Sequence, residues 1–193
     1  EVLAAFAGFI RQRIVDFSKE WRALAYSFRP SDVARLLQHD DYEKAYLAPR
    51  EENVAILYVD IAGFTRLSEQ ILKTPSAVAD LVETWSRDAV EILWSHGGVF
   101  DKMVGDCIIG LFGPPFYDEA EGERLARAVE CARDIRTMTN LLADRPQFRD
   151  KLKAEGVAVS TGVNLAPLFV GQFGPNSNFT GFSSGLNHPA RLQ

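Results

Sequence analysis

The chain has few thiols and no long apolar run. Only Cys107 and Cys131 are cysteines among its 193 residues, and their spacing fits no zinc motif. A disulfide framework or a zinc site is therefore not expected, and the cysteine content suits a reducing compartment. No apolar stretch approaches the roughly 18 residues of a membrane span. We predict a cytoplasmic location, or the cytoplasmic side of a membrane-anchored receptor whose span lies outside this chain.

An excess of basic charge is also lacking. The 21 Lys and Arg residues are outnumbered by 26 Asp and Glu residues, which gives a net charge of -5 and a pI near 5.3. An acidic surface repels phosphate backbones, so no nucleic-acid partner is expected. With 47% hydrophobic and 24% charged residues, the composition is that of a globular protein with one sizeable core.

Apolar residues near the start of the chain follow a heptad pattern. Steps of four and three residues alternate along a seam formed by Leu3, Ala7, Ile10, Ile14, Phe17, Trp21, Leu24 and Phe28. This pattern predicts a coiled-coil-like helix over residues 1–28 that forms a parallel dimer. Packing of the helix on its own domain is the alternative, supported by the additional apolar residues Phe6 and Phe9. Because the chain begins at Glu1 without Met, a membrane span upstream is a further alternative.

A proline separates this helix from the rest of the chain. Pro30 ends the helix, and Ser31 or Asp32 can cap a second short helix through SDVARLLQ. The next segment, HDDYEKAYLAPREEN, is polar and is interpreted as a link that ends near Pro49. We predict a dimerising signalling linker at 1–28, a short helix and transducer link at 29–52, and a globular domain at 53–193.

From residue 53 onward, strand and helix patterns alternate. NVAILYVDI predicts a strand buried on both faces, and the helical pattern after it is broken at Pro75. GGVFDKMVGDCIIGLFGPP predicts two short strands around a turn at residues 104–106, and a long helix follows over EAEGERLARAVECARDIRTMTNLLA. GVAVSTGVNLAPLFVGQFG predicts two further strands, and a last helix is expected near Leu186. This order indicates an α+β fold with helices on one face of a mainly antiparallel sheet.

Two carboxylates stand at the ends of predicted strands. Asp60 lies in the run YVDIAGFT, and Asp106 lies in the turn of FDKMVGDCII. Asp is common in turns and helix caps, so either residue alone has a structural explanation. If the strands are neighbours, the pair suits Mg²⁺, which takes one or two carboxylates and leaves its other positions to water and phosphate.

The residues after Asp60 complement such a cation site. Ala62, Gly63, Phe64 and Thr65 turn from the strand into a helix, and the first backbone N–H groups of a helix have no intrahelical acceptor. Those groups form a seat for a polyphosphate. The sequence therefore predicts a metal–triphosphate site at this turn.

Four ordered blocks resemble the catalytic domain of class III nucleotidyl cyclases, which make 3′,5′-cyclic nucleotides from nucleoside triphosphates. The blocks are VAILYVDIAGFTRLSE, FDKMVGDCIIGLFG, GVNLAPLFVGQFG and FTGFSSGLNHPARL, and the resemblance covers residues 53–193. It implies a ferredoxin-like βαββαβ fold and a homodimer whose chains face each other head to tail and share two composite active sites. We further expect the helix over 1–28 to transmit the state of an upstream sensor domain.

The resemblance also implies roles for individual residues. Asp60, Asp106 and the Ile61 carbonyl match the ligands of two divalent cations, Mg²⁺ or Mn²⁺. Asn187 and Arg191 match the pair that orients the ribose and stabilises charge on the phosphates during transfer. These roles agree with the chemistry of the side chains, since hard cations prefer oxygen ligands and arginine binds phosphate through two parallel hydrogen bonds.

Lys102 and Thr180 match the pair that reads the base. Lysine can only donate hydrogen bonds, which suits the N1 acceptor of adenine and not the N1–H of guanine. Thr180 can accept a hydrogen bond from the exocyclic amine of adenine. ATP is therefore the expected substrate and cyclic AMP the expected product. A guanylate or pyrimidine nucleotide cyclase, or a catalytically silent cyclase-shaped interaction domain, is the alternative.

Near its C-terminus the sequence departs from the family pattern. Ser183 and Ser184 stand where the family usually has glycine followed by Asp or Asn, and Pro189 precedes Arg191. Proline is tolerated in a first helical turn, where its missing N–H would have no partner. The resemblance also implies a triphosphate-binding lysine and final strands beyond Gln193, so we expect the C-terminal end of the domain to be incomplete.

Overall fold

The computed structural model describes residues 2–153, 155–175 and 177–182. The helices are α1 (Val2–Leu24), α2 (Pro30–Leu36), α3 (Phe64–Arg66), α4 (Pro75–Ser95), α5 (Glu121–Asn140) and α6 (Pro146–Leu152). Short π-helices lie at Glu43–Leu47 and Leu67–Leu72, and a 3-10 helix lies at Leu142–Asp144. The strands are β1 (Arg50–Ile61), β2 (Val99–Val104), β3 (Cys107–Phe112), β4 (Val159–Phe173) and β5 (Asn178–Phe182).

The five strands form one antiparallel sheet in the order β2-β3-β1-β4-β5. The central strand β1 pairs with β3 from Ala55 to Asp60 and with β4 along its whole length. Strands β1 to β4 alternate with α4 and α5 in the βαββαβ order, and β5 extends the sheet beyond β4. The predicted α+β, ferredoxin-like class is therefore confirmed.

The stretch GVAVSTGVNLAPLFVGQFG contributes one strand, so the prediction of two strands there was wrong. β4 is 15 residues long, and β1 pairs with it continuously from Val159 to Val170. On the other side, β5 begins to pair with β4 only at Phe169. Pro167 has no backbone N–H to donate to a neighbouring strand. Among the described residues, no strand on the β5 side pairs with Pro167, so no inter-strand hydrogen bond is lost there.

Helices α4 and α5 cover one face of the sheet. Trp85 of α4 is fully buried, and its indole N–H donates a 3.0 Å hydrogen bond to the Thr139 hydroxyl of α5. The predicted break at Pro75 is confirmed, because Pro75 begins α4 directly after Thr74. The Thr74 hydroxyl accepts a hydrogen bond from the Ala77 amide and so caps the helix.

The N-terminal segment covers the opposite face of the sheet. Leu24, Phe28, Leu36 and Leu47 are buried there together with apolar residues of the strands. Leu47 lies in a π-helix within the stretch that was interpreted as a polar link. Segments 1–28 and 29–52 thus both contribute to a core shared with the sheet, and the division of the chain into three functional parts stays a prediction.

The residues that follow α1 contact both edge strands of the sheet. The Ser27 carbonyl accepts hydrogen bonds from the Phe100 amide of β2 at 2.9 Å and from the Trp94 indole at 3.1 Å. The Phe28 ring packs on Phe179 of β5, with 4.9 Å between the ring centroids. We call this set of contacts the helix tie.

Most of α1 extends away from the core. Along the heptad seam, Leu3, Ile14 and Phe17 are 84%, 60% and 51% exposed, whereas Leu24 is 2% exposed. The single chain therefore leaves most of the apolar seam uncovered, and the parallel dimer stays a prediction. None of the described helices combines the length and the apolar character that crossing a membrane requires.

Candidate active site

Asp60 and Asp106 lie side by side at one end of the sheet. Asp60 is paired with Cys107, the first residue of β3, and Asp106 directly precedes Cys107 in the turn between β2 and β3. Because β1 and β3 are neighbouring strands, residues far apart in the sequence meet here. We call these two residues the acidic pair.

The charges of the two carboxylates raise the pKa values of neighbouring groups. Burial, and then the neighbouring Asp60 carboxyl group, raise the pKa of Asp106 to about 6, while hydrogen bonds from the Asp106 and Ile61 amides oppose this rise. Burial, followed by the charges of Asp60 and Asp106, raises the pKa of the Cys107 thiol to about 11. Negative potential is therefore concentrated at this end of the sheet.

This arrangement fits a divalent cation. Oδ2 of Asp106 is buried and has no hydrogen-bond partner among the described residues, which is unfavourable for a carboxylate oxygen unless a donor or a cation binds it. Two neighbouring carboxylates are oxygen donors of the kind that Mg²⁺ and Mn²⁺ prefer, and the Ile61 carbonyl stays a predicted further ligand. In the described part of the chain, no three His, Cys, Asp or Glu side chains form a metal cage. Water and substrate phosphates would complete the coordination.

The turn after β1 leads directly into a helix. Gly63 has a φ of 66°, in the left-handed region that favours glycine. The Leu67 amide donates to the Gly63 carbonyl at 3.0 Å. The amides of Phe64 and Thr65 precede this bond and lie at the helix start, where no intrahelical acceptor is available.

Ala62 differs from the rest of the predicted phosphate seat. Its N–H donates a 2.9 Å hydrogen bond to the Ala158 carbonyl. This bond follows directly after Ile61 and Val159, the last residue pair between β1 and β4. The expectation that this amide is unpaired was therefore wrong. The phosphate-binding role of residues 63–65 stays a prediction.

Lys102 and Thr180 contact each other across the two edge strands. Lys102 Nζ donates a 3.0 Å hydrogen bond to Thr180 Oγ1 and lies 5.7 Å from the centroid of the Phe182 ring. Since β2 and β5 are at opposite ends of the strand order, the sheet must curl until its edges meet. The structure thus brings the two predicted base-reading residues together, and we call them the base-reading pair.

Asp101 is a residue of this site that the sequence interpretation missed. It is only 4% exposed, and its Oδ1 accepts a 3.3 Å hydrogen bond from the Gly181 amide. Burial raises the pKa of Asp101, and the neighbouring Thr180 side chain and the charge of Lys102 oppose the rise. The available signal was an acidic residue within VFDKMV, directly before Lys102.

Asn187 and Arg191 lie outside the described residues. The helix expected near Leu186 lies outside them as well. Their roles therefore stay predictions, and the geometry above concerns the acidic pair, the turn after β1 and the base-reading pair.

Comparisons with known proteins show which family and which solved structures the chain is similar to. The family model of the adenylate and guanylate cyclase catalytic domain matches residues 46–193. The photoactivated adenylate cyclase subunit alpha of Euglena gracilis is 27% identical over 175 residues, which cover 90% of this chain and 16% of that protein. The adenylyl cyclase CyaB from P. aeruginosa is 26% identical with a TM-score of 0.66, covering 76% of this chain and 73% of that chain. The guanylyl cyclase Cya2 shares the fold at 21% identity and a TM-score of 0.59, with coverages of 75% and 70%.

Proposed function

We propose that this chain, which belongs to the adenylate and guanylate cyclase catalytic domain family, converts ATP to 3′,5′-cyclic AMP and pyrophosphate. The convergence of Asp60 and Asp106 carries the proposal, because it brings together two carboxylates that could hold a divalent cation at the end of the sheet. Relatives named as adenylate cyclases support it. A guanylyl cyclase shares the fold, so the choice of ATP rests on the base-reading pair.

In this reaction the ribose 3′-hydroxyl attacks the α-phosphate in line while pyrophosphate leaves. Asp60, Asp106 and the Ile61 carbonyl would hold two divalent cations, Mg²⁺ or Mn²⁺. Such cations, when bound, lower the pKa of the attacking hydroxyl and neutralise charge on the leaving group. The amides of residues 63–65 would donate hydrogen bonds to phosphate oxygens.

Asn187 and Arg191 would act on the ribose and on the transferring phosphate. In the helix that the sequence predicts near Leu186, their spacing of four residues would place them on one side. The planar guanidinium of Arg191 can donate two parallel hydrogen bonds to phosphoryl oxygens, where negative charge develops. This part of the proposal rests on the sequence alone.

Lys102 and Thr180 would select the base. Lys102 Nζ can donate both to adenine N1 and to Thr180, because an ammonium group has three donors. Thr180 would accept from the 6-amine of adenine. Guanine presents N1–H and a 6-carbonyl at these positions, so each contact would become unfavourable.

The active unit is proposed to be a homodimer with two composite sites, held together by the cyclase domain and by α1. Exposed aromatic residues support a sheet-side interface, since Phe169 and Phe182 are 49% and 51% exposed. The exposed heptad seam supports pairing of α1. The chain spans 16% of the length of the Euglena relative, and an upstream sensor acting through α1 is part of this proposal.

Incubation with ATP, GTP, CTP or UTP and Mn²⁺ or Mg²⁺ tests the function. We expect cyclic AMP from ATP, and a loss of at least about 100-fold in Asp106→Ala because a cation ligand is removed. Asp118→Ala is the matched control, because it removes an exposed carboxylate that pairs with Arg35 away from the site. Equal activity of Asp106→Ala and the parent would refute the cation assignment. Cyclic GMP or a cyclic pyrimidine nucleotide as main product would refute ATP as substrate, and no product at all would favour a silent interaction domain.

A further inference from the structure

Strand β2 contains a bulge at Asp101. Phe100 pairs with Gly110 and Lys102 pairs with Ile109 on β3, so Asp101 is an extra residue between two adjacent pairs. A bulge changes the direction of side chains relative to the usual alternation of a strand. Here it allows two consecutive residues, Asp101 and Lys102, to reach β5.

The Asp101 carboxylate is enclosed but incompletely hydrogen-bonded. Its side chain has no exposed area, and Oδ2 lies 3.3 Å from Lys102 Nζ. This ion pair is not aligned as a hydrogen bond, and Oδ2 has no hydrogen-bond partner among the described residues. The Thr180 hydroxyl has a proton to donate and is held near this carboxyl group. Oδ1 of Asp101 accepts from the amide of Gly181, the next residue after Thr180, and Lys102 Nζ lies 3.3 Å from Oδ2 and 3.0 Å from Thr180 Oγ1.

We propose that Asp101 sets the base specificity of the site by fixing the direction of the Thr180 hydroxyl, an inference that rests on the proposed function. Lysine has only donors, so Thr180 Oγ1 is the acceptor in its 3.0 Å bond with Lys102. An ionised carboxylate has only acceptors, so the proposed role requires a Thr180 proton directed towards Oδ2 of Asp101. Thr180 then offers the base a lone pair and no donor.

A hydroxyl held as an acceptor discriminates between purines. The 6-amine of adenine donates to it, whereas the 6-carbonyl of guanine places a second acceptor against it. If the hydroxyl could rotate, it would donate to the guanine carbonyl instead. Asp101 is therefore a positioning residue that acts through Thr180 without touching the base.

Asp101→Asn tests this orientation with little change in shape. The Gly181 amide keeps the Asn oxygen at the Oδ1 position, because an NH₂ group cannot accept its hydrogen bond. The NH₂ group then takes the Oδ2 position and donates to Thr180, whose proton is free to face the base. We expect the ratio of ATP to GTP affinity to fall about tenfold, the effect of one hydrogen bond. Displacement of a fluorescent ATP analogue by each triphosphate, with Mn²⁺ present, measures this ratio.

The same substitution in a Thr180→Val chain distinguishes a positioning role of Asp101 from a purely structural role. If Asp101 acts through Thr180, Asp101→Asn should not change the ratio further in a Thr180→Val chain. Asp118→Asn, the same change in an exposed ion pair, should leave the ratio at the parent value. An unchanged ratio in Asp101→Asn, or independent effects in the double variant, would overturn the inference. A structural role alone would weaken both triphosphates equally.

The binding measurement also separates this inference from the proposed function. Displacement needs no turnover, so a changed ratio without cyclic AMP would refute the activity and support the role of Asp101. Should Asp101→Asn fail to fold, the parent is tested with purine riboside triphosphate, which lacks the 6-amine and keeps N1. We expect it to bind about tenfold more weakly than ATP. Equal binding would overturn the inference.

Discussion

The ionisation of Asp106 affects both the fold and the proposed cation site. Its pKa of about 6, raised first by burial and then by Asp60, lies above the value of about 3.9 for an unfolded chain. A carboxyl group with a raised folded-state pKa stabilises the fold fully below its unfolded pKa, and this contribution is lost as pH rises through the folded value. Without a cation, ionised Asp106 therefore destabilises the fold at neutral pH.

We expect Asp106→Asn to raise the melting temperature of the cation-free chain at about pH 7 and to change it little below about pH 4. Mn²⁺ should raise the melting temperature of the parent, because a cation that binds only the folded state stabilises it. The variant should lack this response. Thermal melts in EDTA and in Mn²⁺ at several pH values measure both effects.

The exposed carboxylate of Asp118 provides the control for this prediction. Asp118→Asn removes a charge that pairs with Arg35, and its response to Mn²⁺ should match that of the parent. A lower melting temperature of Asp106→Asn than of the parent in EDTA at about pH 7 would contradict the predicted repulsion within the acidic pair.

At the residue scale, the sequence predicted which side chains meet but not how they are buried. The meeting of Asp60 with Asp106 was predicted from their places at strand ends, and that of Lys102 with Thr180 from the family resemblance. Asp101 was missed because its importance depends on a bulge and on the approach of two edge strands. Neither feature is visible in local sequence pattern.

The hydrogen bond between Trp85 and Thr139 joins α4 to α5 across the helical layer. Both residues are fully buried. We expect Thr139→Val to lower the free energy of unfolding by about 1–3 kcal/mol, because the Trp85 indole N–H then has no acceptor while shape is nearly kept. Urea denaturation followed by tryptophan fluorescence measures the loss.

Thr137 offers a matched control on the same helix. It is exposed, and its hydroxyl donates to the Arg133 carbonyl. Thr137→Val should therefore change stability by less than about 0.5 kcal/mol. Equal losses in the two variants would show that β-branching or helix propensity, and not the interhelical bond, determines the effect.

At the element scale, prediction succeeded where periodicity and turn residues agreed. The hairpin around residues 105–106 and the start of α4 at Pro75 follow from glycine, proline and alternating apolar residues. The segment that forms β4 was predicted to contain two strands, whereas its pairing with β1 is continuous and includes Pro167. The π-helix at Glu43–Leu47 had no signal of its own in a segment rich in charge.

At the scale of the whole molecule, the exposed seam of α1 predicts self-association. Ile14 is 60% exposed, and in a paired helix an Asp at this position would be buried without a partner. We expect Ile14→Asp to weaken dimerisation by at least about tenfold and to reduce cyclase activity with it. Sedimentation over a range of concentrations measures the dimer.

Ala5 lies on the opposite side of α1 from the seam and is exposed. Ala5→Asp introduces the same charge there and should leave dimerisation unchanged. A parent chain that remains monomeric at high concentration with α1 intact would defeat the proposed dimer and the transmission of signals through it.

The contacts of the helix tie determine which residues would move if α1 were rotated about its axis. Turning α1 about its axis displaces Ser27 and Phe28, and through them Phe100 and the Phe179 ring. Phe100 is two residues from Lys102 and Phe179 adjoins Thr180, so the displacement reaches the base-reading pair through one layer of contacts. Neither residue of the acidic pair adjoins a residue of the helix tie along the chain. Twisting of an upstream coil should thus change the KM for nucleotide before it changes the affinity for cations.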